Sequence, residues 1–305
     1  MSRQLTSHIL MIRPVAFGFN EETAADNHFQ KKEFVISESE IQKRAAEEFD
    51  QFVAVLRNHG VRVTVVDDTL EPGTPDSIFP NNWVSFHEDG STVLYPMLTP
   101  NRRAERRIDI LEELGRDTSK ISNISENELS GKILEGTGSM VLDRENRVAY
   151  ASISERTNEE LVQTWCEQFG FEPCLFHSTQ LLQGTEKPIY HTNVIMCVGE
   201  ELVVICSDVI RDVEERNVVL NQIAANGKRI IEISEGQMNS FAGNILQLRN
   251  EHGQRLMIMS SQAFKSSKEV QLKEIERSNT IVHSSLKTIE TLGGGSARCM
   301  MAEVF

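Results

Sequence analysis

The chain has 305 residues, of which 39% are hydrophobic and 25% are charged, and its formal net charge at pH 7 is -14. This length suffices for one large domain or two ordinary ones, and the composition is that of a globular protein with a packed core. The acidic balance argues against nucleic acids and anionic membrane surfaces as partners, because both bind through clustered Lys and Arg.

A helix followed by a strand recurs along the chain. Stretches with helical spacing of apolar residues end at four glycines about 55 residues apart: Gly60, Gly115, Gly170 and Gly227. The first helix is predicted to begin at Ser37, with Glu40 in capping-box spacing, and the third at Thr157. Strands are predicted over 61–66, 171–176, 228–233 and 280–285, whereas the segment after Gly115 is a poor strand.

A second recurring unit lies ahead of the helices. It consists of two apolar runs joined by a polar turn, which is typical of a β-hairpin, and it occurs at 81–96, 137–152, 192–207 and 243–261. The repeat is therefore strand, strand, helix, strand. The first copy, which begins at 8–14, lacks its opening strand, and we expect 296–304 to supply it from the far end of the chain.

These repeats predict an α/β fold, a five-bladed α/β propeller of pseudo-fivefold ββαβ units that forms a single domain over residues 1–305. A periodic chain must stack its units to bury their faces, and a closed ring leaves no exposed end unit. The alternative is a doubly wound α/β sheet. Against it, paired strands precede each helix and no glycine-rich nucleotide fingerprint occurs.

The remaining sequence features predict no membrane segment and no disulfide framework. No apolar run approaches the roughly 18 residues of a membrane span, and the N-terminal run is too short for a signal sequence, so we expect a cytoplasmic protein. The basic run "NRRAERR" (101–107) is expected to be the solvated face of a helix. Five cysteines without CxxC spacing indicate no zinc site, and four of them, all except Cys299, are expected to be small buried hydrophobes.

In a propeller the segments that enter each repeat converge on the central axis. The entrances are 76–82, 134–139, 190–193, 239–244 and 293–299, with Asn82, Gly138, Asn193 and Asn244 at equivalent places. They carry a thiol, an imidazole and a carboxylate: Cys299, His191 and Glu135. Taken singly, the histidine and the glutamate are more often structural residues, and only their shared placement suggests a catalytic set.

Several of these motifs resemble those of the guanidine-modifying, or pentein, superfamily, which includes arginine deiminases, dimethylarginine hydrolases and amidinotransferases. "PDSIFPNN" (75–82) is similar to an entrance motif that ends in an acidic ligand, and "LEGTGSMVL" (134–142) to a Glu-Gly-Gly-Asp segment. "YHTNVIMCV" (190–198) is similar to a His-x-Asp segment, and "GGGSARCM" (293–300) to the terminal nucleophile motif. The pattern also matches a bacterial branch of citrulline-utilising, amidinotransferase-like hydrolases.

The resemblance implies a hydrolase without metal or organic cofactor. Cys299 would attack the central carbon of a guanidinium or ureido group, His191 would protonate the departing amine and activate water, and Glu135 would orient the substrate nitrogens. The partner is expected to be a small amino acid, and a homo-oligomer is possible.

The sequence departs from the superfamily where acidic ligands are expected. Asn81, Asn82 and Asn193 stand near those places, and an amide offers both a donor and an acceptor, which suits the neutral ureido group of citrulline. We therefore expect hydrolysis of citrulline to ornithine, with structural asparagines as the competing interpretation. An arginine deiminase or dimethylarginine hydrolase, an amidinotransferase and a non-catalytic binding propeller remain alternatives.

The remaining candidate substrate contacts lie in loops. The long segment 13–30 is expected to close over the amino-acid end of the substrate, with Asn27 reaching the pocket, and Phe79 lies in the second entrance segment. Arg156 or Arg13 is a candidate partner for the substrate carboxylate.

Overall fold

Strands and mostly short helices alternate in the computed structural model, which describes residues 3–32, 37–182 and 184–305. The strands are β1 (His8–Arg13), β2 (Arg62–Asp67), β3 (Val84–Phe86), β4 (Thr92–Leu94), β5 (Ile121–Asn123), β6 (Met140–Asp143), β7 (Val148–Ser152), β8 (Glu172–Phe176), β9 (Thr179–Leu182), β10 (Thr185–Pro188), β11 (Met196–Val198), β12 (Leu202–Ile205), β13 (Arg229–Glu232), β14 (Leu246–Arg249), β15 (Arg255–Ser260), β16 (Thr280–Ser284) and β17 (Ala302–Val304). The helices are α1 (Glu38–Asn58), α2 (Pro100–Arg103), α3 (Ile108–Glu113), α4 (Gly136–Ser139), α5 (Glu159–Phe169), α6 (Thr192–Ile195), α7 (Val213–Ala225), α8 (Glu235–Met238), α9 (Ser261–Ser266), α10 (Glu269–Glu276) and α11 (Lys287–Gly293).

Five sheets of the described residues have three strands and share one topology. In each, the middle strand pairs antiparallel with one neighbour and parallel with the other: β3-β4-β5, β6-β7-β8, β11-β12-β13, β14-β15-β16 and β17-β1-β2. This pattern confirms the four predicted hairpins and the strands that follow the helices. A further hairpin, β9 and β10, has no counterpart in the predicted repeat.

The far end of the chain completes the first sheet, as predicted. Strand β17 pairs antiparallel with β1, with Ala302 opposite Leu10 and Val304 opposite His8. The predicted strand was too long, however, because residues 297–300 form a turn and pairing begins only at Ala302. The turn is what allows Cys299 to face the pocket instead of lying in a flat strand.

The helices begin and end largely where their polar residues indicate. The Ser37 side chain accepts a hydrogen bond from the Glu40 backbone at the start of α1, as predicted. The cap of α5 is Asn158 and not Thr157, because the Asn158 side chain accepts from the Leu161 amide, whereas Thr157 is fully buried. The buried face of α1 packs on β1, β2 and β16; it comprises Ala45, Phe49, Phe52, Val53 and Leu56.

The prediction that 101–107 is a solvated helix face is wrong for two of its residues. Arg102 and Glu105 are only 2% and 4% exposed and form a two-pronged ion pair with N–O distances of 2.8 and 2.9 Å. The local pattern is that of a surface helix, but two further carboxylates near Arg102, those of Asp76 and Glu135, lie elsewhere in the chain.

The three glycines near the end of the chain do not form a flexible loop. Gly293 is the last residue of α11, and Gly294 ends the helix with a left-handed backbone (φ 64°). At Gly295, a Cβ atom would lie only 2.8 Å from the Phe79 ring. These glycines are therefore needed for tight packing around the nucleophile segment.

Helix α11 buries a carboxyl group whose ionisation should oppose folding. Glu290 is 2% exposed, accepts a hydrogen bond from the Ser296 hydroxyl at 2.6 Å, and has its pKa raised by burial to about 7. Since the pKa is higher in the folded than in the unfolded chain, stability should fall as pH rises from about 4.5 to about 7.

We expect Glu290→Gln to stabilise the protein at pH 8 by on the order of 2 kcal/mol and to change little at pH 5. The glutamine keeps an acceptor for Ser296 without the buried charge. Urea unfolding at the two pH values measures the difference. An equal effect at both pH values would show that Glu290 does not titrate as described.

Candidate active site

The entrance segments predicted to converge are held together by their own polar groups. Asn244 donates from Nδ2 to the Asn193 carbonyl at 3.0 Å, and the Thr192 hydroxyl donates to the Ser139 carbonyl at 2.6 Å. The Thr137 hydroxyl donates to the Asn81 carbonyl at 3.2 Å. Segments far apart in sequence therefore present their side chains to one small volume.

Cys299 lies among amide groups in the turn before β17. Its sulfur is 3.2 Å from Asn244 Nδ2 and 3.5 Å from Asn193 Nδ2. Asn244 Oδ1 accepts from the Cys299 backbone N–H at 3.4 Å, which orients the amide with its nitrogen toward the sulfur. At 3% exposed, Cys299 is as buried as the other four cysteines, so the predicted contrast in burial is wrong and the difference lies in its polar neighbours.

We expect Asn244→Ala to slow alkylation of Cys299 by iodoacetamide about tenfold, and kcat by at least as much. An N–H donor stabilises a thiolate, and the thiolate is the reactive form. Peptide mass spectrometry after timed labelling measures this rate. Asn279→Ala, which removes another buried asparagine remote from the sulfur, is the control, and equal labelling rates in both variants would rule out this role for Asn244.

His191 and Glu135 form a buried pair. His191 Nε2 and Glu135 Oε2 are 2.8 Å apart, and the two side chains are 2% and 0% exposed. Burial would raise the pKa of Glu135, but Arg156, His191 and Arg102 together hold it well below its usual range. Burial lowers the pKa of His191 despite the hydrogen bond that it donates to Glu135. The ionised carboxylate only accepts, so the proton of a neutral His191 lies on Nε2 and the lone pair lies on Nδ1.

Two buried arginines surround this pair. Arg156 forms a two-pronged ion pair with Asp26, at 2.5 and 2.7 Å, and reaches Glu135 at 3.4 Å. Arg102 donates from NH1 to Asn82 Oδ1 at 3.0 Å and lies 3.6 Å from Glu135. Glu135 is therefore held by cations on two sides, which fixes the position of His191.

A narrow pocket with a free volume of about 10 Å³ opens beside the sulfur. Its lining includes Cys299, His191, Asn82, Phe79, Asn27, Arg156, Arg102, Asp76 and Tyr190. Two of its buried polar atoms, Asp76 Oδ1 and Asn82 Nδ2, have no hydrogen-bond partner among the described residues. Burial raises the pKa of Asp76, against the opposing effect of Arg102. The pocket thus presents one free acceptor and one free donor.

The predicted site residues are mostly brought together. Cys299, His191, Phe79, Asn82, Asn27 and Arg156 line the pocket, Glu135 lies behind His191, and Asn193 contacts the sulfur. Asn81 is not part of the pocket lining, since its side chain bonds Thr137. The charge of Arg156 is already paired, which leaves little of it for a substrate carboxylate.

Segment 13–30 packs over the pocket, and sequence reasoning missed its Asp26, which pairs with Arg156. Asn20 and Thr23 donate to Asp76 Oδ2 at 2.7 and 3.1 Å, and Asn27 donates to the Gly293 carbonyl at 3.2 Å. Arg13 instead lies at the surface, paired with Asp50.

Four residues of the site escaped sequence reasoning: Asp26, Asp76, Arg102 and Tyr190. Asp76 stands inside the quoted entrance motif and could have been found there. Tyr190 likewise stands beside His191 in the quoted segment 190–198, whereas Asp26 and Arg102 carried no signal, because a single acid in a loop or an arginine in a basic run is common.

The profile of the family described as N,N dimethylarginine dimethylhydrolase, eukaryotic, matches residues 13–305. The chain belongs to this family. It is therefore a member of the pentein superfamily of guanidine-modifying enzymes, as predicted, and is homologous to enzymes that hydrolyse C–N bonds of guanidino compounds. No curated protein matches the sequence.

Solved structures share the fold at low identity. Cyanobacterial ArgZ, an arginine dihydrolase, superposes with a TM-score of 0.74 at 18% identity, over 97% of this chain and 40% of that one. A complex of AgrE with L-arginine superposes with a TM-score of 0.75 at 17% identity, over 98% of this chain and 40% of that one. A dimethylarginine dimethylaminohydrolase adduct with S-methyl-L-thiocitrulline superposes with a TM-score of 0.64 at 15% identity, over 98% of this chain and 100% of that one. The chain spans about 40% of the length of ArgZ and AgrE, and the likeness confirms a mixed α/β pentein fold.

Among the helices of the described residues, none combines the length and apolar character that a membrane span requires.

Proposed function

We propose that this protein is a cysteine-dependent hydrolase of the ureido carbon of citrulline, which releases ornithine, ammonia and carbon dioxide. The proposal rests on two buried polar atoms whose residues line the pocket of Cys299. The acceptor Asp76 Oδ1 and the donor Asn82 Nδ2 both lack a hydrogen-bond partner among the described residues.

A ureido group complements this pair better than a guanidinium does. Its NH2 can donate to Asp76 and its carbonyl oxygen can accept from Asn82, whereas a guanidinium has only donors. The Asn82 amide cannot turn over to offer an acceptor, because its Oδ1 receives an N–H from Arg102, which only donates. A buried donor left unpaired costs about 1–3 kcal/mol, so Asn82 should discriminate between the two groups.

The reaction follows from the positions of Cys299 and His191 in one pocket. Nδ1 of His191 takes the thiol proton, the thiolate attacks the ureido carbon, and the proton passes to the departing NH2, which leaves as ammonia. Water, deprotonated by His191, then cleaves the S-linked thiocarbamate and regenerates the cysteine. The carbamate of ornithine that results loses carbon dioxide. Glu135 stabilises the imidazolium that forms in each half of the cycle.

Hydrolysis of a guanidino compound is the second candidate, and the charge of the site favours it. Asp26, Asp76, Glu105 and Glu135 outnumber Arg102 and Arg156, so an added cation would be compensated. Family membership and the L-arginine complex of AgrE point the same way. In this candidate the product of arginine would be citrulline or ornithine.

Asn82→Asp tests the choice between the two substrates. It keeps the acceptor for Arg102 and replaces the free donor by an acceptor. We expect kcat/KM for citrulline to fall at least tenfold while that for arginine stays level or rises, measured by product mass. Asn81→Asp, whose side chain is outside the pocket, is the matched control. Turnover of arginine or dimethylarginine but not citrulline in the unaltered protein would establish the second candidate instead.

The same substrate panel separates the remaining classes. Product formation only from arginine together with glycine would indicate an amidinotransferase, and no turnover of any compound would favour a binding module. Citrulline turnover by the unaltered protein excludes a purely binding role.

We also propose that the five sheets close into a five-bladed propeller forming one domain over residues 1–305. In sequence order, contacts join β17 to β3, β3 to α4, β6 to β11, β11 to β14, and β16 to α1. Each repeat thus contacts the next, and the last contacts the first, which supports a closed ring. The cytoplasm remains the predicted location.

A further inference from the structure

A second cavity lies at the hairpin turns, away from Cys299. It has a volume of about 490 Å³, and its walls include Arg144, Arg147, Arg3, Phe169, Phe171 and Phe305. Arg144 directly follows β6, whose other end adjoins α4 in the active site. Four residues of extended strand span about 13 Å, so the two sites lie at opposite ends of the same strand.

The charged groups of this cavity differ in how closely they are paired. Arg3 pairs with Glu88 at 2.7 Å, Asp89 accepts from the Ser91 hydroxyl at 2.6 Å, and Arg147 donates to the Phe169 carbonyl at 2.8 Å. Glu145 faces Lys228 at 3.9 Å. Arg144 is the remaining charged residue of the cavity, and its ion pair with Glu303 is also long, at 3.9 Å.

The Arg144 guanidinium makes no hydrogen bond to any described residue, although only 6% of its side chain is exposed. Its Cζ atom lies over the Phe305 ring, 4.3 Å from the ring centroid. The carboxylate nearest to it, that of Glu303, is 3.9 Å away and is already bound by Arg298 at 3.0 Å. Burial lowers the pKa of Arg144, against the opposing effect of Glu303 and with a further lowering by Arg298. A largely buried cation whose nearest carboxylate is 3.9 Å away and shared with a second arginine is stabilised by a further counter-ion.

We propose that this cavity binds a small oxyanion, a carboxylate or a phosphate, through the Arg144 guanidinium. The Phe305 ring supports the guanidinium, and a guanidinium that makes no hydrogen bond to the described part of the chain can donate to two oxygens of one anion. Arg147 lies over the Phe171 ring at 4.4 Å in the same wall, with a left-handed backbone (φ 58°), and adds a second positive charge at the mouth. The ligand class is thus anionic, in contrast to the amino-acid substrate proposed for the Cys299 pocket.

Titration calorimetry with inorganic phosphate and with succinate, at constant ionic strength, tests the site in the full chain. We expect saturable binding of at least one anion, and Arg144→Met should weaken it at least tenfold. Arg211→Met, which removes the same charge from a surface pair with Glu235, should leave it unchanged. Absence of saturable binding by both anions, or equal affinity in Arg144→Met, would overturn the proposal, and the latter would place the anion at Arg102 or Arg156.

A second variant tests the proposal if Arg144→Met does not fold. Arg144→Lys keeps the positive charge but loses the planar guanidinium, which can donate two parallel hydrogen bonds. We expect this variant to fold and to bind the anion more weakly. In the unaltered protein with 15N-labelled arginine, the bound anion should shift one Nε–H resonance that is missing in Arg144→Lys. A shift of only resonances that persist in this variant would contradict the assignment.

Discussion

Replacing Cys299 with alanine is expected to reduce kcat by a factor of at least about 10,000, because no covalent intermediate can then form. The substitution removes the only sulfur in the pocket lining and leaves the amides of Asn193 and Asn244 in place. Release of ornithine from citrulline, followed by mass spectrometry, measures the loss.

Cys206→Ala is the matched control for this loss. Cys206 is fully buried among apolar side chains, and burial raises its pKa to about 12, so its thiol is inert at neutral pH. We expect its removal to cost on the order of 1 kcal/mol of stability and to leave kcat unchanged. Turnover by Cys299→Ala at more than a hundredth of the original rate would mean that another group is the nucleophile.

Glu135→Gln is expected to lower kcat by about 100- to 1,000-fold and to destabilise the fold by about 3 kcal/mol. The carboxylate accepts from the Leu98 amide and His191 and faces Arg156 and Arg102, so an NH2 in place of either oxygen would meet a donor. The loss also removes the group that keeps the His191 proton on Nε2.

The pH dependence of stability distinguishes this account of Glu135 from simple packing damage. Because its folded pKa lies below the ordinary value of 4.5, the stabilisation is fully present above that value and is lost as pH falls through the folded pKa. The difference between the two proteins in urea unfolding should thus be largest at neutral pH and shrink in acid. Glu160→Gln, at a surface pair with Lys132, should have almost no effect.

Much of the fold could be predicted because each repeat contains local sequence signals for helix ends and hairpin turns. Gly60, Gly115, Gly170 and Gly227 all have a positive φ at helix ends, and each hairpin turn is polar. The hairpin of β9 and β10 was missed, because it interrupts the period with exposed residues that bury no face of their own. The extent of β17 was also beyond local rules, because the turn before it is fixed by contacts of Cys299 with Asn244.

The site could be predicted as far as residue type and repeat position define it. Cys299, His191 and Asn82 stand at repeat entrances, and their meeting follows from the fold. Arg102 could not be foreseen, because its burial depends on Glu105 and on Glu135, which is distant in sequence. A segment that looks solvated by its own composition becomes part of the interior once those carboxylates surround it.

The central claim is that Cys299 cleaves a neutral ureido carbon. Citrulline and arginine, each 13C-labelled at the ureido or guanidino carbon, can be incubated separately with the purified protein and followed by 13C NMR. The account predicts labelled bicarbonate from citrulline in the unaltered protein and none with Cys299→Ala. Citrulline that stays intact while arginine is consumed would contradict it.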